Sequence, residues 1–101
     1  MLQAQIFLDK NDLYGAQPLY EFIMQLLLIN NIKGATAYQG IMGFGTNQQI
    51  KRPNQIFSFD DPPIMITFID EENKVREVLH RLRTEYKGGF IITHQVDQFG
   101  L

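Results

Sequence analysis

The sequence predicts an α+β fold built from two βαβ halves, and two observations carry that prediction. Stretches with strand and helix patterns follow one another as strand, turn, helix, strand, and then do so again. The end of each half also echoes the other, IKGATAYQ from Ile32 in the first and YKGGFIITHQ from Tyr86 in the second. Two such halves make the split βαββαβ, or ferredoxin-like, arrangement, an antiparallel four-stranded sheet with both helices on one face.

The first strand is read over Leu2 to Leu8, where Leu2, Ala4, Ile6 and Leu8 alternate with Gln3, Gln5 and Phe7. Asp9 to Gly15 is a polar turn. Pro18 suits the first helical position, where its missing N–H costs nothing, and Glu21 suits the first turn of the helix dipole. The helix over Pro18 to Asn31 carries a core stripe of Leu19, Phe22, Ile23, Leu26 and Leu27, with a second row, Tyr20, Met24 and Leu28, on its flank. That apolar face is wider than one sheet requires and calls for a covering subunit or loop. Asn31 and Gly34 close the helix, and Lys33 suits its negative end.

The second strand runs from Ala35 to about Ile41 and enters the stretch GATAYQGIMGFG, Gly34 to Gly45. Gly40, Gly43 and Gly45 are places where backbone can take positive φ or approach a ligand, although glycines also simply end strands. Met42 to Pro63 shows no sustained period and exceeds an ordinary connection. Lys51, Arg52, Phe57 and Phe59 give this loop the composition of a recognition surface, with a long hairpin as the alternative. Ile64 to Ile69 is the third strand, apolar enough to be covered on both faces. Asp70, Glu71 and Glu72 mark a second helix N-terminus, and Val75, Val78, Leu79, Leu82 and Tyr86 form its narrow stripe. Gly88 and Gly89 stop it, and Phe90 to Val96 is the fourth strand.

With both helices on one face, Phe7, Tyr38, Met65, Ile69 and either the Phe90 or the Ile91 set lie on the other. An apolar patch of that kind predicts a homo-oligomer.

Composition narrows the function. At 101 residues, 45% hydrophobic and 20% charged, the chain reads as one globular domain, residues 1–101. A net charge of −2 without a basic run argues against nucleic acid. The absence of cysteine excludes disulfides and thiolate chemistry. No stretch has the length and apolarity of a membrane span or a signal-peptide core, so a cytoplasmic protein without direct membrane insertion is expected. His80 and His94 stand far apart with no carboxylate at ligand spacing, which predicts no metal site. Asp60 and Asp61 precede prolines and read as turn formers, and Ser58 has no nearby base. No catalytic triad, Walker loop or dinucleotide fingerprint is present, so a non-enzyme is expected.

The layout, the phrase GATAYQGIMGFG, the long loop, QPLYE at Gln17 and FSFDDPPIMITFIDEEN at Phe57 together resemble the PII-like (GlnB-like) signalling proteins. They are most similar to the uncharacterised PII-like family of about this length, sometimes found with fluoride-exporter genes. The resemblance covers essentially the whole chain. It implies a PII-like homotrimer whose sheets line a central barrel, with ligand clefts between subunits that hold adenine nucleotides in PII proteins. The loop after the second strand would contact a partner protein, here a membrane transporter or its regulator. Carried over by residue, Gly34, Thr36, Gly43, Phe44 and Gly45 match one side of the cleft. Gly88 and Gly89, with Lys87 as the nearby charge, match part of the other. The chain departs from PII at Phe90, where a lysine enters the last strand, at Thr46, where an arginine is common, and at Thr67, where relatives have glutamate. It also ends at Leu101 without the basic tail that reaches the nucleotide in PII. These departures remove charge complement to a triphosphate. Trimeric copper-tolerance proteins share the fold, so a metal-binding trimer, or a structural trimer without ligand, is the alternative.

Overall fold

The computed structural model describes residues 1–44 and 62–100. Gly45, Thr46, Lys51, Arg52, Phe57 and Phe59 lie outside the described residues. The elements are β1 (Leu2–Asp9), a small ribbon β2 (Leu13–Tyr14) and β3 (Gln17–Pro18), α1 (Leu19–Ile29), β4 (Ala35–Gln39), β5 (Pro63–Asp70), α2 (Glu72–Glu85) and β6 (Phe90–Gln95). The main sheet has the order β4-β5-β1-β6, and every neighbouring pair is antiparallel. This is the predicted ferredoxin-like topology.

Alternation along β1 and β5 sends Leu2, Ala4, Ile6, Leu8, Ile64, Ile66 and Phe68 into the core. There they meet Leu19, Ile23 and Leu27 of α1 and Val75, Val78 and Leu82 of α2, each set at helical spacing. Phe22 and Leu26 of the expected α1 stripe pack at its margin. On the flank, Tyr20 and Met24 are half-buried, whereas Leu28 is 75% exposed.

Four local features differ from the sequence reading. The turn after β1 contains the β2–β3 ribbon, tightened at Gly15 (φ 62°). It places the Tyr14 ring on Phe22, with centroids 3.8 Å apart and planes 6° apart. Pro18 therefore sits one position before the helix, and the Leu19 N–H is satisfied by the Asp12 carbonyl. At the other end of α1, Asn31 adopts the left-handed conformation (φ 63°), with Ile32 N–H bonded to Leu27 O and Asn31 N–H to Leu28 O. That is a Schellman closure with asparagine in the place glycine usually takes, so Gly34 has no capping role.

Asp70, read as a charge at the helix start, is the last residue of β5 and only 1% exposed. Its Oδ1 accepts the Glu71 N–H (2.8 Å), and its Oδ2 accepts the Lys33 N–H (3.1 Å) and Lys74 Nζ (3.3 Å). Burial alone would push its carboxyl up, but the two backbone N–H bonds and the Lys74 ammonium outweigh that and hold it below the usual carboxylate range.

The face away from the helices is laid out in layers by the strand register. Tyr38, Met65, Phe7 and Phe90 form one row across the sheet. Thr36, Thr67, Gln5 and Ile92 form the next, and Ile69, Gln3 and His94 the third. The Phe90 set, not the Ile91 set, is therefore the exposed one.

Candidate functional site

The glycine turns singled out in the sequence occupy one end of the sheet, on its two opposite edges. Strand β4 ends where Gly40 N–H donates to Pro63 O at 2.8 Å. A Cβ on Gly40 would lie 2.7 Å from Pro63 Cγ, and one on Gly43 3.0 Å from the same atom. Neither glycine has a positive φ. The proline ring excludes a Cβ at Gly40 and crowds one at Gly43, a local packing reason for glycine at both places. Phe44, directly after them, is 90% exposed.

At the other edge, Lys87, Gly88 and Gly89 link α2 to β6. Gly89 has φ 77°, and its Cβ would lie 3.4 Å from Phe7 O. A Cβ on Gly88 would lie 2.5 Å from Tyr86 Cε2, so a side chain there would require the tyrosine ring to move. The Tyr86 phenol is pushed up by burial and by Asp12 and Asp9, with Arg83 opposing.

Arg83 has a role here that the sequence does not mark. Its guanidinium donates to the Gly88 carbonyl and, at 3.4 Å each, to Tyr86 O and Gly89 O. An arginine in the last helical turn reads as a complement to the dipole, and no spacing rule marks its reach into the following turn.

Within one chain β5 and β1 separate the two turns, so the gap across the strands is on the order of 14 Å. Gly34 lies at the opposite end of β4, roughly 20 Å from Gly40 at the usual strand rise, and nothing restricts a side chain there. Thr36 is between them, on the open face beside Thr67. The structure thus groups Gly43 with Phe44 and Lys87 with Gly88 and Gly89, and it separates Gly34 from both groups.

The open face carries its own polar array. His94 Nε2 donates to Gln3 Oε1 (2.7 Å), and Gln3 Nε2 donates to Thr67 Oγ1 (3.0 Å). His80 is exposed on α2. Among the described residues, no three His, Asp or Glu side chains gather as a metal-binding group. No helix among them is long and apolar enough to cross a membrane.

Comparison with known proteins agrees with this architecture. A UPF0166 protein of Methanocaldococcus jannaschii is 30% identical over 89 residues, covering 87% of this chain and 81% of its own length. One from Aquifex aeolicus is 23% identical over 84 residues, covering 83% and 80%. Among solved structures, CPII from Thiomonas intermedia K12, a nitrogen regulatory PII-like protein, superposes in its complex with ADP, AMP and acetate with a TM-score of 0.63. That match has 26% identity and covers 96% of this chain and 88% of CPII. The PII-like fold and the family profile "Uncharacterized ACR, COG1993" coincide over nearly the whole sequence, and through residues 1–98 the chain belongs to the DUF190 family.

Proposed function

We propose that this chain is a PII-like regulatory protein that binds an adenine nucleotide between copies of itself. The observation that carries this reading is the placement of two glycine turns at the same end of the sheet but on opposite edges. Within one chain β5 and β1 stand between them. Two neighbouring copies would bring them together, one offering the turn after β4 and the other the turn before β6. A homotrimer packed through the three charge-free rows of the open face would supply that arrangement three times. The crystallised complex of CPII with ADP and AMP supplies the ligand class. Lys87 is the one cation within the candidate ligand set, which suits a nucleotide with few phosphates better than a triphosphate.

The same reading assigns residues 42–63 to a protein partner, a membrane transporter or an associated regulator, and assigns no catalytic step to the chain. The protein works in the cytoplasm in this account.

Titration calorimetry with AMP, ADP and ATP tests the ligand, alongside light scattering for the assembly. The expected result is a trimer that binds ADP or AMP more tightly than ATP without turning any of them over. A stable monomer at micromolar concentration, or a trimer indifferent to all three nucleotides, overturns the reading. Replacing residues 47–56 by a short glycine-serine linker is expected to leave the trimer and its nucleotide affinity intact while abolishing capture of the partner.

A further inference from the structure

We propose that Arg83 is the positioning residue for the phosphate-binding side of this cleft, holding the Lys87–Gly89 turn in its binding shape before any ligand arrives. The inference rests on the nucleotide reading above and adds to it the group that presets the site.

The geometry begins with the carbonyls. The Arg83 guanidinium bonds the Gly88 carbonyl and reaches those of Tyr86 and Gly89, gathering all three oxygens on the α2 side of the turn. Every peptide bond among the described residues is trans. In a trans peptide the N–H points opposite to the preceding carbonyl. With the Tyr86 and Gly88 oxygens drawn inward, the N–H groups of Lys87 and Gly89 are turned away from the helix. Lys87 and Gly89 are both exposed. Outward backbone N–H groups beside an ammonium make a receptor for an oxyanion such as a nucleotide phosphate.

The clamp is needed because the turn is otherwise free to lose this shape. Gly88 and Gly89 are adjacent, and glycine visits more backbone conformations than any other residue. The Tyr86 ring restrains Gly88 from one side, but a ring cannot orient a carbonyl. Arg83 can, because its planar fork serves several acceptors at once, which a single lysine ammonium does less well. Its neighbours on α2 are engaged differently, since Arg76 pairs with Glu72 and Arg81 with Glu77. The hydrogen bonds of Arg83 instead run to neutral carbonyls, so its positive charge remains part of the field at the turn.

The test compares the full chain with R83Q and R83K. Calorimetry gives the affinity for ADP, amide-shift titration at millimolar concentration gives the affinity for adenosine, and 15N relaxation of the ligand-free proteins gives the order of the Gly88 and Gly89 amides. The expected result is ADP binding at least tenfold weaker in R83Q, unchanged adenosine binding, and lower order confined to the turn. R83K is expected to restore part of the ADP affinity by charge without restoring the order. Wild-type ADP affinity in R83Q overturns the positioning role while leaving the ligand reading in place. Equal losses for ADP and adenosine also overturn it, because a general collapse of the cleft explains them. Wild-type protein that binds neither AMP nor ADP overturns the ligand reading and this proposal together.

Discussion

Pro63 lies against Gly40 so closely that its Cγ would be 2.7 Å from a Cβ at that position, while its carbonyl accepts the Gly40 N–H at 2.8 Å. The proline thus joins β5 to the end of β4 by a hydrogen bond and by a contact that admits only glycine. Gly40→Ala is expected to destabilise the fold by about 1–3 kcal/mol, the usual cost of forcing extra volume into a packed contact. Urea unfolding of the single variant and of Gly40→Ala combined with Pro63→Ala checks the cause. Removing the ring should recover much of the loss, and an unrecovered loss would mean that the proline is not what excludes the side chain.

Asp70 makes stability depend on acidity. Its carboxyl lies below the usual carboxylate range in the folded protein and returns to that range on unfolding. A depressed folded pKa gives stability that is fully present above the unfolded value and is lost as pH falls through the folded one. The wild type should therefore lose stability on acidification through and below the ordinary carboxylate range. Asp70→Asn should start lower near neutrality, by about 1.5–3 kcal/mol for the loss of a charged hydrogen-bonding group. Its pH slope in that range should be shallower. Equal slopes in chemical denaturation at several pH values would remove Asp70 as the cause.

Asp70 also shows where the sequence was legible and where it was not. The alternation Ile64, Ile66, Phe68 continues unbroken into Asp70, so its inward direction was written in the strand period. Its acidic neighbours Glu71 and Glu72 carry the pattern of a helix N-terminus, which masks that direction. The stripes of α1 and α2, the β1 alternation and the repeated Lys-Gly strand entries sufficed for the topology, because those patterns are periodic. The ribbon from Leu13 to Pro18 escaped because two-residue strands have no period, although Gly15-Ala16 between them is the length of a tight hairpin loop. At the site, the turns at Gly43 and at Gly88-Gly89 were legible as glycine clusters. Gly34 was grouped with them by motif alone, and strand geometry places it at the far end of β4. Arg83 could not be found because its partners are carbonyls, which every residue has.

Tyr14 joins the β2–β3 ribbon to both helices, stacking on Phe22 and donating its hydroxyl to Glu85 Oε2 at 2.7 Å. The bond to Glu85 is the main reason the Tyr14 phenol titrates above the ordinary tyrosine range, with burial and the Glu85 charge acting in the same direction. A raised folded pKa gives stability present below the unfolded value and lost as pH rises through the folded one. Ultraviolet titration of the phenols should show a transition moving back toward the ordinary range in Glu85→Gln. An unchanged titration would mean that the latch does not persist in solution.

The open sheet face gives the most direct test of assembly. Its layers contain Phe7, Phe90, Tyr38, Met65, Ile69 and Ile92 among threonine, glutamine and histidine, with no Asp, Glu, Lys or Arg in them. Phe7 and Phe90 lie side by side with ring centroids 6.1 Å apart, and Phe90 is 60% exposed in the single chain. If copies pack through this face, Phe90→Glu places a carboxylate in an interface with no partner, and an unpaired buried charge is costly enough to dissociate it. The variant should then elute and scatter as a monomer while keeping its far-ultraviolet circular dichroism, because the same position is solvent-exposed in the isolated chain. Leu28→Glu serves as the comparison. Leu28 is 75% exposed on the α1 flank, away from the sheet, and its substitution should leave a sheet-packed trimer unchanged. Dissociation by Leu28→Glu with Phe90→Glu still assembled would place the subunit contact on the helical flank. In that arrangement the turns after β4 and before β6 would have no reason to meet across a subunit boundary, and the intersubunit ligand site would fail with it.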